Sequence, residues 1–173
     1  MVKQRSDELT WKDFVTSLTA GALTVAAVVL CIQNYNVHSI YWLMYLGWAV
    51  WVFGLLLCLT PMRVLRKRGG VADGDSWVKT TTVVDSGPYA IVRHPIYVGW
   101  GVMVLALMLI SQYWVVAVCG AVAMPLVYID IWREDRDNME KFGEDYVRYQ
   151  KKVPQADVVS GVVRMILRRI RSK

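Results

Sequence analysis

Two stretches of this chain, positions 14–62 and 95–129, contain no Asp, Glu, Lys or Arg. A chain of 173 residues folding in water has too small a core to cover that much uncharged sequence. An apolar run of roughly 18 residues or more reads instead as a membrane-crossing helix, which satisfies its own backbone hydrogen bonds in lipid. The first stretch holds two crossings, separated by the polar Gln33-Asn34-Tyr35-Asn36. The second also holds two, separated by Ser111-Gln112-Tyr113. The spacing predicts spans near 14–32, 40–60, 95–110 and 114–131. The expected fold is therefore an all-α integral membrane protein with about four transmembrane helices, built as one membrane domain. Asp7, Glu8 and Asp13 precede the first span, and no small-residue cleavage site follows it, which argues against a secretory signal peptide.

The net charge of +6 is unevenly placed. Arg63, Arg66, Lys67 and Arg68 follow the second span, and Arg164, Arg168, Arg169, Arg171 and Lys173 crowd the C-terminus. The connections at 33–39 and 111–113 have no Lys or Arg. The positive-inside rule then places both termini and the 61–94 segment in the cytoplasm. The expected location is the cytoplasmic membrane of a prokaryote. The basic clusters suit anionic headgroups, and without a recognition motif they give no reason to expect nucleic acid as a partner. Cys31, Cys58 and Cys119 sit in or beside apolar spans, and an odd count with no CxxC suggests neither disulfides nor a metal site.

The rest of the chain divides by composition. Positions 63–84, with Gly69-Gly70 and Gly74, read as a mobile cytoplasmic connection within a 63–94 segment. Gly87-Pro88 signals a turn. Pro95 suits the first turn of a helix, so the 95–131 hairpin begins there, and Pro125 is expected to kink its second arm. In the C-terminal 132–173 region, Met139, Phe142, Tyr146, Tyr149 and Val153 recur at helical spacing until Pro154 ends the stripe. Val159, Val162, Val163, Ile166 and Ile170 alternate with arginines, as in a basic amphipathic helix lying on a membrane surface. His38 falls in an outer connection and is expected to be solvated. Either Trp100 and Gly99 line a lipid entry or, equally, Trp100 is an ordinary lipid-facing residue.

Two polar groups flank the hairpin. One is Tyr89, Arg93, His94 and Tyr97; the other is Asp130, Arg133, Glu134, Asp135 and Arg136. A short turn between antiparallel spans brings both to the same membrane face. A pocket with cationic, anionic and aromatic walls that opens to lipid suits a charged cofactor and an amphipathic substrate. Taken singly, His94 is a helix cap, Arg93 a snorkelling side chain, and Glu134-Asp135 a solvated helix face.

The pattern Gly87-Pro88-Tyr89-x-x-x-Arg93-His94-Pro95-x-Tyr97-x-Gly99 resembles that of the isoprenylcysteine carboxyl methyltransferase family of integral membrane enzymes, with which phospholipid N-methyltransferases are grouped. A second similarity lies at Glu134-Asp135 and the following Phe142-Gly143-x-x-Tyr146-x-x-Tyr149-x-x-x-Val153-Pro154. Together the two blocks cover about residues 79–154. The resemblance implies S-adenosyl-L-methionine as cofactor and a cytoplasmic C-terminal region that binds it. It assigns that cofactor to Thr81, Thr82, Val83, Val84, Tyr89, His94, Pro95, Ile96, Tyr97 and Glu134. Arg93, His94, Asp130 and Glu134 are the candidate catalytic residues. The implied activity is methyl transfer to a lipidic or amphipathic acceptor, either an isoprenylcysteine-like carboxylate or a phospholipid amine. Where the family's carboxyl methyltransferases carry a substrate-associated Arg, this chain has Asp130, which favours an amine. The alternatives are a nicotinamide-dependent sterol-type reductase on the same scaffold, or a small structural membrane protein.

Overall fold

The structure is a computed structural model and describes residues 11–35 and 40–171. Asn36 and His38 therefore lie outside the described residues, as do 1–10. Among the described residues the regular structure is helical: α1 (Trp11–Gln33), α2 (Tyr41–Arg68), α3 (Pro95–Ser111), α4 (Trp114–Phe142), α5 (Glu144–Lys152) and α6 (Val158–Arg171), with a 3-10 turn at Gly87–Ala90. The helices α1, α2 and α4 are long and apolar enough to cross a membrane, while α3 is a shorter apolar helix. At about 1.5 Å per residue its 17 residues reach about 25 Å, slightly less than a bilayer core of about 30 Å.

The bundle is paired, with α2 packed along α3 and α1 along α4. Small residues set the α2–α3 spacing. A Cβ added at Gly47 would lie 2.7 Å from Ile110 Cγ1 and 2.9 Å from Ile110 N, and one at Gly99 would lie 2.9 Å from the backbone of both Cys58 and Gly54. Such close backbone approach is how helices gain contact where lipid supplies no hydrophobic drive. One buried cluster, Ala27, Cys31, Met44, Leu107, Ile110 and Val116, joins all four helices near the Gln112 end. A second, Ala20, Val127 and Ile131, with Tyr97 and Trp100 against it, lies near the His94 end.

The outward faces are apolar and exposed, as in lipid. Trp42, Tyr45, Phe53 and Leu56 on α2 are each more than half exposed. On α4, Trp114 and Trp132 are also exposed and stand eighteen residues apart, roughly 27 Å along the helix. That separation matches an aromatic residue at each membrane boundary. It sets the boundary just before Arg133, Glu134 and Asp135.

Several boundaries differ from the sequence expectations. The second span does not stop near 60, because α2 continues through Pro61 to Arg68, where Arg66, Lys67 and Arg68 complement the negative end of the helix dipole. Likewise α4 is unbroken through Pro125 and runs eleven residues past 131. The segment after α2 is tied at its base: Thr81 N and Thr82 N donate to Gly69 O, and the Thr81 hydroxyl to Gly70 O. The stripe from Met139 to Val153 is not one helix. Gly143, with φ +58°, separates α4 from α5 in a conformation that L side chains rarely adopt. Between α3 and α4 the turn is set by Gln112, which takes a left-handed φ of 51°. Its side-chain amide pairs with both backbone groups of Ile40 at the start of α2.

Two glycine variants test this packing. Alanine is a better helix former than glycine by about 1 kcal/mol, and nothing lies within 4 Å of a Cβ at Gly21. Gly21→Ala should hold or raise the melting temperature in detergent. Gly47→Ala should lower it, by an overpacking cost of about 1–3 kcal/mol against Ile110.

Candidate active site

The His94 end of the bundle gathers the ionisable groups. Gly87, at φ +63°, turns the chain into the 3-10 segment, and Pro95 opens α3 directly behind His94. The segment between is held by later parts of the chain. Arg93 N donates to Pro154 O at 3.0 Å, His94 N to Gln155 O at 3.2 Å, and the Tyr149 hydroxyl to Tyr89 O at 2.7 Å. Val84, Tyr89, Tyr146, Tyr149 and Val153 form one buried cluster beneath it. The two sequence blocks thus fold into a single unit.

Asp135 is at the centre of that unit and only 6% exposed. Its Oδ1 accepts from His94 Nε2 at 2.8 Å and from the Tyr146 hydroxyl at 2.6 Å. Its Oδ2 pairs with Arg93 Nη2 at 2.9 Å and accepts from Gln155 Nε2 at 2.9 Å. The His94 side chain is 2% exposed, and its Nδ1 lies 3.9 Å from Glu134 Oε1. A carboxylate accepting at Nε2 fixes that nitrogen as protonated and turns Nδ1 toward Glu134. The Tyr97 ring packs edge-on to His94, with centroids 5.9 Å apart, and comes within reach of the Glu134 carboxylate. Glu134 itself is 45% exposed. No side chain caps the start of α3, so its first N–H groups, at Ile96 and Tyr97, keep the free donor character of a helix start.

The other expected site residues are distributed around this cluster. Thr81, Thr82 and Val83 line a polar cleft of about 510 Å³ with Asp85, Lys141, Phe142, Asp145, Arg148, Tyr149 and Lys152. His94, Tyr97 and Glu134 are not among its walls. Val84 and Tyr89 lie buried between the two regions, and the Glu134 charge reaches Tyr89. Asp130 is 8% exposed and faces α1: it pairs with Arg133 Nη1 at 3.3 Å and accepts from the Thr16 hydroxyl at 3.5 Å, and Arg133 also donates to Thr16. Arg93, Arg133 and Arg136 with Tyr128, Trp132 and Met139 line a further concavity of about 660 Å³ at the membrane boundary. An open groove of about 780 Å³ along the exposed face of α1 bears no ionisable group. No cluster of metal-ligating side chains occurs among the described residues.

Sequence reasoning missed the centre of this arrangement. Tyr146 and Gln155 were not among the candidate site residues, and Asp135 was placed in the second polar group without a role assigned to it. The one available signal was the second acid of the Glu134-Asp135 pair, together with the Phe-Gly-x-x-Tyr spacing that follows it.

The network gives two predictions. Asp135→Ala leaves the Arg93 guanidinium buried without its partner, and should cost about 3–5 kcal/mol of stability, read as a lower melting temperature in detergent. The second concerns alkaline pH. Burial first, then the charges of neighbouring groups, push the Tyr89, Tyr146 and Tyr149 hydroxyls above the ordinary tyrosine range. A raised folded-state pKa gives stability that is complete below the unfolded value of about 10 and is lost as pH climbs toward the folded values. The melting temperature should therefore fall above pH of about 10. Tyr149→Phe should start lower by a hydrogen bond of about 1 kcal/mol and fall less steeply.

The family profile for phospholipid methyltransferase matches residues 42–144. Protein-S-isoprenylcysteine O-methyltransferases of Homo sapiens and Mus musculus are each 31% identical in an alignment 131 residues long, with 69% of this chain and 42% of theirs covered. The Rattus norvegicus protein of the same name is 34% identical over 87 residues, covering 43% of this chain and 27% of its own. The matches thus span less than half of these relatives' length. No solved structure matches the chain. With the family profile covering more than half of the sequence, from the start of α2 past the end of α4, the chain belongs to the phospholipid methyltransferase family.

Proposed function

We propose that the protein is a membrane-embedded methyltransferase that uses S-adenosyl-L-methionine and acts on a lipidic or amphipathic acceptor. The observation that carries this reading is the half-exposed Glu134 carboxylate beside Tyr97 and the open start of α3, all at the membrane boundary. These groups fit the donor molecule. Glu134 suits its ammonium, the N–H groups of Ile96 and Tyr97 suit its carboxylate, and the Tyr97 and Tyr89 rings suit a sulfonium or an adenine. When bound, that molecule supplies an electrophilic methyl group on a good leaving group.

The chain's own contribution is positional. Pro95 and Ile96 fix the start of α3, and Asp135 holds His94 and Arg93. Glu134 is thereby aimed at the flank where Tyr97 lies, and Val84 and Tyr89 form a dry floor. Alignment of the reacting atoms and exclusion of water are the main sources of rate in a displacement of this kind. Thr81, Thr82 and Val83 extend the site toward the polar cleft. Arg93 and His94 act as positioning groups. Arg133, paired with Asp130 behind it, lines the concavity on the acceptor side at the lipid boundary. In this reading the His94 end of the bundle is cytoplasmic, as the basic residues ending α2 and crowding α6 require.

Binding of S-adenosylhomocysteine to the purified protein, by calorimetry in detergent, tests the reading. Glu134→Ala should weaken it by roughly ten-fold or more, the value of about 1.5–3 kcal/mol for a charged hydrogen bond. His94→Ala should weaken it in the same direction by releasing the α3 start. No binding by the unmodified protein, together with a melting temperature raised by a nicotinamide dinucleotide, would assign the scaffold to reductase chemistry instead.

A further inference from the structure

The α6 helix, Val158–Arg171, is 14 residues long, about 21 Å, too short to cross a bilayer core. It contains no acidic residue and carries Arg164, Arg168, Arg169 and Arg171. Asp157 starts it by accepting from Ser160 N at 3.1 Å, and that bond holds the Asp157 carboxyl below its ordinary range.

Its two faces differ. One is pressed onto the motif: a Cβ built at Gly161 would overlap the Ile91 carbonyl oxygen, and Arg168 Nη2 donates to Ala90 O at 2.9 Å. The opposite face carries Val159, Val163, Ile166, Leu167 and Ile170, all exposed and reaching 76% at Val159. At about 100° per residue these five lie within one arc, directly across the helix from Gly161 and Arg168. Exposed Arg164 and Arg169 flank the arc on its two sides. A helix with an apolar face, a basic border and no length to span is built to lie in the headgroup layer. Its place beside the motif puts it at that level already.

We propose that α6 is an in-plane anchor seated on anionic lipid, and that it clamps residues 90–91 of the motif from the membrane side. Anionic lipid is favoured over a protein partner because the arginines border the apolar arc on both sides, which matches a charged plane meeting an apolar layer. The helix therefore links the lipid composition of the leaflet to the order of the motif. This goes beyond the proposed activity, and it can be read without a methyl donor.

The test is hydrogen–deuterium exchange of the full chain in nanodiscs of phosphatidylcholine alone or of phosphatidylcholine with phosphatidylglycerol. Amides in 158–171 should exchange more slowly with phosphatidylglycerol, by about five-fold for each arginine engaged, since each is worth about 1 kcal/mol at an anionic surface. Arg164→Glu with Arg169→Glu should abolish the difference between the two lipids. Gly161→Leu should leave α6 protected while amides at 87–93 lose protection. Equal exchange in both lipids would overturn the anionic anchor, as would protection that follows the number of copies per disc. Unchanged exchange at 87–93 in Gly161→Leu would overturn the clamp. Loss of S-adenosylhomocysteine binding with the exchange pattern intact would count against the proposed activity alone.

Discussion

A buried carboxylate has to be answered on every side, and Asp135 imposes that requirement on the whole His94 end of the molecule. Its donors come from the motif loop, from α5 and from the connector before α6. An ion pair in a dry site is tolerated only when its remaining lone pairs are also satisfied. The segments must therefore arrive together. The backbone bonds from Arg93 and His94 to the 154–155 connector are the chain-level result. Helix geometry then separates the two adjacent acids. Successive residues on α4 are about 100° apart, so with Asp135 turned inward, Glu134 faces the flank occupied by Tyr97. One acid is consumed in holding the structure, and its neighbour is left half exposed.

The level of this unit in the membrane matters as much as its shape. Trp132 marks the boundary on α4, and the charged residues begin immediately after it. Groups at that depth are reached by polar molecules from water and by amphiphiles from the side. The lipid-facing concavity beneath Arg93 and Arg136 opens at the same level. The two reactants of the proposed function, one polar and one lipidic, could meet at that level.

The spans were legible because absence of charge over 49 and 35 positions has only one economical explanation in a chain this size. The α3–α4 turn was legible because Ser-Gln-Tyr is the polar interruption of an apolar run. Helix ends were harder to read. Pro61 and Pro125 each remove a single backbone donor, and neighbouring packing keeps both helices going. The Met139–Val153 stripe was real as a face, since Tyr146 and Tyr149 are buried. Its continuity was not, because the φ that Gly143 adopts cannot be inferred from periodicity. The hub was the least legible feature. By residue type Glu134-Asp135 is a pair of equivalent acids; the resemblance pointed to Glu134 for the cofactor, but only tertiary contacts place Asp135 inward at the hub. The phenols of Tyr146 and Tyr149 pass for hydrophobic positions until their partners appear.

Asp130 shows how a tertiary contact changes an electrostatic argument. As an isolated acid at the lipid boundary it would repel a carboxylate acceptor and attract an amine. Paired with Arg133 and bonded to Thr16, it presents a dipole whose net charge is close to zero. A carboxylate reaching this place competes with Asp130 for Arg133, and an amine competes with Arg133 for Asp130. Either exchange breaks a largely buried pair and must replace the lost contact in full. If the proposed acceptor binds here, its preference follows from how completely an incoming group can substitute for the partner it displaces, and the sign of residue 130 alone does not determine it.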